Sequence, residues 1–393
     1  MSMKKASALA CALGLALAAL LALGGCGGAP SSSEQGGTTK VAETIEITDV
    51  AGQTLTFDRP VDKAIIQWSG SGGGFIVMSA LFGSDVPQHI AAMDSGLENY
   101  RADMWANFCK SVPDLENVPK IGTIGKDFDV EAAIASDADV AILPYGLQKS
   151  ASEAVQAKLE AAGIPVVYID FHDETVENHV KSVQIMGKLF GLEERAQEIC
   201  DFYLEHRQNV DRRIASVLET ESRPSMYIEV GMGGPEKFGN SYTNSYMWGG
   251  IAFDSGADSI GDGVIENAAE LDPEYVLESN PQKIVLTGSY WPDQAASVRM
   301  GFDADETQLK PLVDAYFNER SGWSDLSAWK NKQIYVVHHG IGRNIYDCAC
   351  YEFFAQVCFP KEFSDLDPAA TLKEFYQRFL PYEFSGLWFY VYQ

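Results

Sequence analysis

The chain has 393 residues, enough for two domains that each bury a core. Hydrophobic residues make up 46% and charged residues 21%, the balance of a folded protein rather than a disordered one. With 29 Lys and Arg against 55 Asp and Glu, the net charge of −26 argues against nucleic acid as a partner and against direct adsorption to anionic lipid, because both demand concentrated cations.

Lys4 and Lys5 precede an apolar run over residues 6–23, which ends in Gly24, Gly25 and Cys26. A charged start, an apolar stretch and small residues before a cysteine form the pattern of a cleaved signal peptide over residues 1–25. The junction resembles the lipobox of bacterial lipoproteins, which implies a diacylated Cys26 as the new N-terminus. Residues 26–43, rich in Gly and Ser, then read as a tether with a reach of roughly 20 Å. Two acyl chains, at about 0.8 kcal/mol per buried methylene, would keep such a protein at the membrane. The other cysteines are Cys11, within the signal, and Cys109, Cys200, Cys348, Cys350 and Cys358. These last five read as ordinary buried thiols, with at most two disulfides among them.

The first strand is expected over 64–68, running into a glycine-rich turn at 69–74 and an apolar helix over 75–82. Residues 129–146 (DVEAAIASDADVAILPYG) form a helix–strand unit opened by an Asp N-cap. A helix over 150–162 ends at Gly163, and a strand comes next over 165–170. Residues 192–221 contain no Pro or Gly and predict one helix, about 45 Å long at 1.5 Å per residue. Beyond it the plan recurs. A strand over 226–230 runs into glycines at 231–234, and residues 272–289 (DPEYVLESNPQKIVLTGS) align without a gap on 129–146. A strand over 333–338 completes the repeat. Alternating strands and helices mean parallel sheets covered by helices. The fold class is therefore α/β: two Rossmann-like lobes, residues 44–174 and 223–393, joined by a linker region over 175–222 that holds a long rigid α-helix, with a ligand cleft between the lobes.

Several segments together resemble the helix-linked (class III) substrate-binding lipoproteins of bacterial ABC importers, the group serving ferric siderophores, haem and cobalamin. They are residues 49–53 (DVAGQ), the two repeated units, residues 162–166 (AGIPV), the linker helix and residues 359–368 (FPKEFSDLDP). The resemblance covers about residues 44–393 and departs from the family pattern at an insertion over 92–119 and an aromatic tail over 384–392. It implies no reaction and no cofactor. It further implies a small-molecule ligand (a metal chelate, haem or corrinoid), a dimeric ABC permease as partner, a monomeric receptor anchored outside the cytoplasm, and one permease-docking glutamate per lobe, Glu131 and Glu274. Two carboxylates at equivalent places on pseudo-symmetric lobes also suit a two-fold symmetric partner.

In open parallel sheets, ligands bind beyond the carboxyl ends of the strands. That selects loops 68–74, 144–147 and 171–173 of the first lobe, and 231–234, 287–291 and 338–343 of the second. Within them the preferred ligand contacts are Trp68, Ser71, Tyr145, Trp291, His339 and Arg343, with Tyr246 and Trp248 as second choices. Flat aromatics supply contact area at low entropy cost, and Arg343 would meet a carboxylate on the ligand. Two alternatives remain open. One is a bare metal-ion receptor using His338 or His339 with Asp170 and His172. The other is a metal- or thiol-dependent oxidoreductase using Cys348, Cys350 and His338. Neither a G-x-S-x-G elbow, a phosphate-binding P-loop nor a G-x-G-x-x-G turn after the first strand is present to support other enzyme classes.

Overall fold

A computed structural model describes residues 44–393, apart from Glu174 and the side chains of residues 152–154. The expected signal peptide, the expected lipidation site Cys26 and the expected tether lie outside the described residues.

An antiparallel hairpin, Ile45–Thr48 with Thr54–Phe57, opens the first lobe. Its sheet has four parallel strands in the spatial order Ile90–Met93, Ala64–Ile66, Val140–Pro144, Val166–Ile169. Every residue of these strands is buried, as expected of a parallel sheet with both faces covered. The second sheet runs Phe389–Val391, Ile334–His338, Lys283–Gly288, Ser225–Val230, Asp258–Ser259. Its four parallel strands have the same order as the first sheet: second, first, third, fourth. The repeat in the sequence is thus a repeat of topology. The helices Val130–Ile134 and Pro273–Ser279 precede the third strand of each lobe. Asp129 accepts from the N–H groups of Glu131 and Ala132 at 3.1 and 2.9 Å, and Asp272 from those of Glu274 and Tyr275 at 2.8 and 3.4 Å.

Some expectations are corrected. The helix expected over 150–162 is two pieces, Gln148–Ala154 and Gln156–Ala161, because Val155 leaves helical backbone angles between them. The linker helix is Glu193–Val217, a span of about 37 Å, and residues 218–221 close it with turns. Ala92 lies in the buried edge strand Ile90–Met93. Past that strand the chain forms a strap of two helices, Gly96–Tyr100 and Ala102–Ser111, and a 3-10 turn, Pro113–Asn117. The aromatic tail contributes the antiparallel edge strand Phe389–Val391.

The lobes share a core. One continuous hydrophobic cluster takes Ile66, Phe75 and Phe108 from the first lobe, Tyr203 from the linker, and Phe302, Tyr376 and Tyr382 from the second lobe. Smaller clusters cover the outer faces of the two sheets. The linker helix is pinned to both sides. Arg195 donates to the carbonyls of Ala80 and Arg378 at 3.0 and 2.9 Å. Arg207 lies 3.5 Å above the Tyr351 ring and pairs with Asp211 and Asp254. A rod held along its length resists wide hinge opening.

Candidate functional site

Strand order reverses in each lobe between the first and third strands, and the loop leaving the first strand of the first lobe faces, across a cleft, the loops leaving both strands of the second. In the first lobe the glycine-rich turn is held tight, with the N–H groups of Ser71 and Gly72 donating to the Trp68 carbonyl at 2.9 and 2.7 Å. Gly73 has a φ of +74°, and a Cβ there would lie 2.3 Å from the Phe171 ring, so only glycine fits. Asp94 fixes the same turn, accepting from the Ser69 N–H at 3.0 Å and the Ser69 hydroxyl at 2.8 Å. Trp68 and Arg343 both take left-handed backbone angles, φ 54° and 72°. Such angles are uncommon outside glycine and gather where a site constrains the chain.

The cleft has a volume of about 380 Å³. Ser71, Tyr100 and Arg101 line it from the first lobe, and Tyr242, Tyr246, Trp291, His339 and Arg343 from the second. A hollow of about 520 Å³ adjoins it, sharing Val230, Met232 and Asn240, but the second lobe alone builds that hollow. Of these two, the 380 Å³ cleft is the one lined by both lobes and by strand-end loops from each.

The charge of the cleft opposes that of the chain. Among the described residues lining it stand two arginines and a histidine, and no carboxylate. His339 is neutral: burial, then Arg101, Arg343 and His338, hold its pKa well below the ordinary histidine value. The Arg343 guanidinium can only donate, so His339 Nε2 accepts from it at 3.3 Å. His339 Nδ1 then carries the proton and donates to Thr287 Oγ1 at 2.8 Å. The chain Thr287–His339–Arg343 orients a cation towards the cavity. Burial, and next Arg343, lower the Arg101 guanidinium to a pKa of about 9. Tyr242 lies near both arginines, each of which opposes the burial-driven rise of its phenol pKa.

The structure thus brings together Ser71, Tyr246, Trp291, His339 and Arg343. It does not bring the other expected contacts to the cavity wall. Trp68 packs on His172 with ring centroids 4.8 Å apart, at the first-lobe rim. Tyr145 is 40% exposed and edges Tyr168. Trp248 is corrected outright: it is fully buried in the helix Met247–Asp254, packed on Phe354 beneath His339. Sequence reasoning missed Arg101, Tyr100 and Tyr242. The signal for the first two was their place in the insertion, whose role could not be read from spacing. Glu131 and Glu274 are exposed in the first turns of their capped helices.

The metal and thiol readings lose their geometry. Among the described residues, no group of three or more His, Cys, Asp or Glu side chains could hold a metal ion. His338 turns away from His339 to pack on Trp388, and Asp170 accepts from the His172 N–H and from Asn178. Cys348 and Cys350 are buried in the helix Cys348–Cys358 and form no disulfide. Burial raises the Cys348 thiol well above its usual pKa, the opposite of what a reactive thiolate needs.

The sequence pattern of periplasmic binding proteins matches residues 101–339. The chain belongs to the periplasmic binding protein family. The crystal structure of a TroA-like periplasmic binding protein, FepB from Veillonella parvula, is 46% identical with a TM-score of 0.85, covering 89% of this chain and 100% of that one. A periplasmic solute-binding protein from Veillonella parvula DSM 2008 is 20% identical at a TM-score of 0.65, covering 87% of this chain and 94% of its own. MolA of Haemophilus influenzae, solved with molybdate, is 16% identical at 0.64, covering 87% and 99%. These last two show the fold alone. No curated protein matches significantly. As a periplasmic binding protein, the chain is a solute-binding protein of the ABC transporter type; the family acts outside the cytoplasm, takes small-molecule ligands and works with ABC permeases. Its homologues are transport proteins rather than enzymes. Among the described residues, no helix is long and apolar enough to cross a membrane.

Proposed function

We propose that this binding protein captures a metal chelate, haem or corrinoid in the interlobe cleft and delivers it to the permease of an ABC importer. The observation that carries the reading is a cleft walled by strand-end loops of both lobes, offering aromatic faces and oriented cations in a volume suited to one small ligand. The signal sequence and Cys26 support anchoring by lipid on the outer side of the membrane. Exposed Glu131 and Glu274, at matching places on the two lobes, support docking to a two-fold symmetric permease. The shared core supports a receptor whose lobes move little on binding.

Native mass spectrometry of the protein purified from its source tests the reading. The expected result is one non-peptide adduct per chain, with a metal isotope pattern or the mass of haem or a corrinoid. An adduct that is a plain sugar, peptide or amino acid would refute the chelate class.

A further inference from the structure

Three arginines are almost wholly buried: Arg101 at 3% exposure, Arg207 at 4% and Arg320 at 7%. Two of them have their counter-charges. Arg207 pairs with Asp211 and Asp254 at 2.8 and 2.6 Å, and Arg320 grips Glu229 through two nitrogens at 2.7 and 2.8 Å. Arg101 does not. Among the described residues no carboxylate lies within ion-pair distance of it. One terminal nitrogen bonds the neighbouring Tyr100 carbonyl, and its Nε has no hydrogen-bond partner. The nearby Asp103 acts on it only through space: its Oδ2 accepts the Phe302 N–H at 2.8 Å, its Oδ1 has no hydrogen-bond partner, and neither oxygen forms an ion pair with Arg101.

A guanidinium buried without a carboxylate is costly, and folded proteins rarely retain one without a purpose. The position of this one is specific. Arg101 joins the two strap helices and lines the cleft. Gly340 of the second lobe leaves it room, since a Cβ there would sit 2.7 Å from Arg101 Nε. Arg343 stands close enough to add to the effect of burial in lowering the Arg101 pKa, so the cleft by itself sets two like charges against each other.

We infer that the ligand supplies the missing counter-charge: the solute carries an exposed anionic oxygen group, a carboxylate or a catecholate, held between Arg101 of the first lobe and Arg343 of the second. This rests on the receptor reading above and narrows it. Within the proposed ligands it selects anionic chelates and the propionate-bearing haem over neutral hydroxamate chelates and corrinoids. The strap is then a specificity element, because it sets a first-lobe cation across the cleft from Arg343 of the second. Two cations at the floor of a cleft in a strongly acidic protein also focus the field that draws an anion in.

The test uses the full chain, ligand-free, with two ferric probes of opposite character: the anionic tris-catecholate and the neutral tris-hydroxamate. Tryptophan quenching reads affinity, and thermal melting, with and without citrate, reads the buried charge directly. The anionic probe is expected to bind more tightly, and Arg101→Gln to weaken it by about 30-fold or more while leaving the neutral probe unchanged. Arg101→Met is expected to raise the melting temperature of the ligand-free protein, and citrate to raise that of the wild type but not of the variant. Equal binding of both probes, unaffected by Arg101→Gln, would overturn the charge inference and leave the receptor reading standing. Binding of neither probe, with a citrate shift that needs Arg101, would keep the anion site and sink the chelate reading. A lower melting temperature for Arg101→Met, with no citrate shift in the wild type, would show Arg101 to be structural and overturn the inference.

Discussion

Phe108→Ala probes whether the strap locks the lobes together. Phe108 is fully buried on the strap helix Ala102–Ser111. Its ring stacks on Tyr382 with centroids 3.9 Å apart and lies 6.0 Å from both Phe75 and Phe302. Phe75 belongs to the first lobe, Phe302 and Tyr382 to the second, so one ring joins both. Full burial of such a side chain is worth about 1.5–3 kcal/mol, and the close stack on Tyr382 adds about 1 kcal/mol. A packed neighbourhood relaxes only partly around the hole, which brings the expected loss to about 3–5 kcal/mol. Urea unfolding followed by tryptophan fluorescence measures it, with Phe108→Leu as a milder control. Because the core is continuous, wild type and Leu variant should unfold in one transition. Solution scattering should show little change when the wild type binds ligand and a looser particle for the Ala variant. A loss below about 1 kcal/mol, with scattering unchanged, would mean that the strap merely rests on the surface, and the shared interlobe core would have to be abandoned.

Four further tests address the site and its partner. The double variant Glu131→Ala with Glu274→Ala should bind ligand as well as the wild type in a fluorescence titration, yet abolish uptake in cells; normal uptake would remove the docking role. His339→Phe deletes the acceptor that orients Arg343 and should weaken binding by roughly tenfold, with His339→Gln recovering part of it; equal affinity for all three proteins would show that Arg343 needs no guide. Asp103 has a pKa raised to about 6 by burial, so the folded protein keeps a proton there that the unfolded chain has lost between about pH 4 and pH 6. Stability should therefore fall as pH rises through that window and level off above it. Asp103→Asn keeps an acceptor for the Phe302 N–H, and its stability advantage over the wild type should grow by up to about 3 kcal/mol between pH 4 and pH 7; an advantage that does not vary with pH would contradict the assignment. Finally, Trp291→Phe should remove much of the ligand-induced quenching, since Trp291 is the tryptophan in the cavity wall; undiminished quenching would place the ligand elsewhere.

Much of the architecture is legible residue by residue. Asp129 and Asp272 announce helix starts because a short carboxylate can reach the second and third N–H groups, an interaction complete within four residues. Val140–Pro144 and Lys283–Gly288 read as buried strands because a parallel sheet under helices tolerates unbroken apolar runs. Boundaries were less legible. The expected helix over 150–162 breaks at Val155, and the linker helix ends at Val217 through turns that no Gly or Pro marks. The site was half legible. Ser71, Trp291, His339 and Arg343 come from one rule, that ligands gather at the carboxyl ends of parallel strands. Trp248, ranked behind Trp291 from the sequence, lies in the helix Met247–Asp254 and is sealed beneath the cavity whose wall Trp291 reaches.

Local pattern by itself determined the two-lobed parallel-sheet plan, the repeated capped helices and the long connecting rod, since periodicity and capping act between residues a few positions apart. Only the tertiary structure decided that Arg101, carried by the strap of the first lobe, comes to stand beside Arg343 of the second with no carboxylate among the described residues at ion-pair distance. Burial and charge pairing are properties of what packs on a residue from elsewhere in the chain, and no reading of its sequence neighbours contains them.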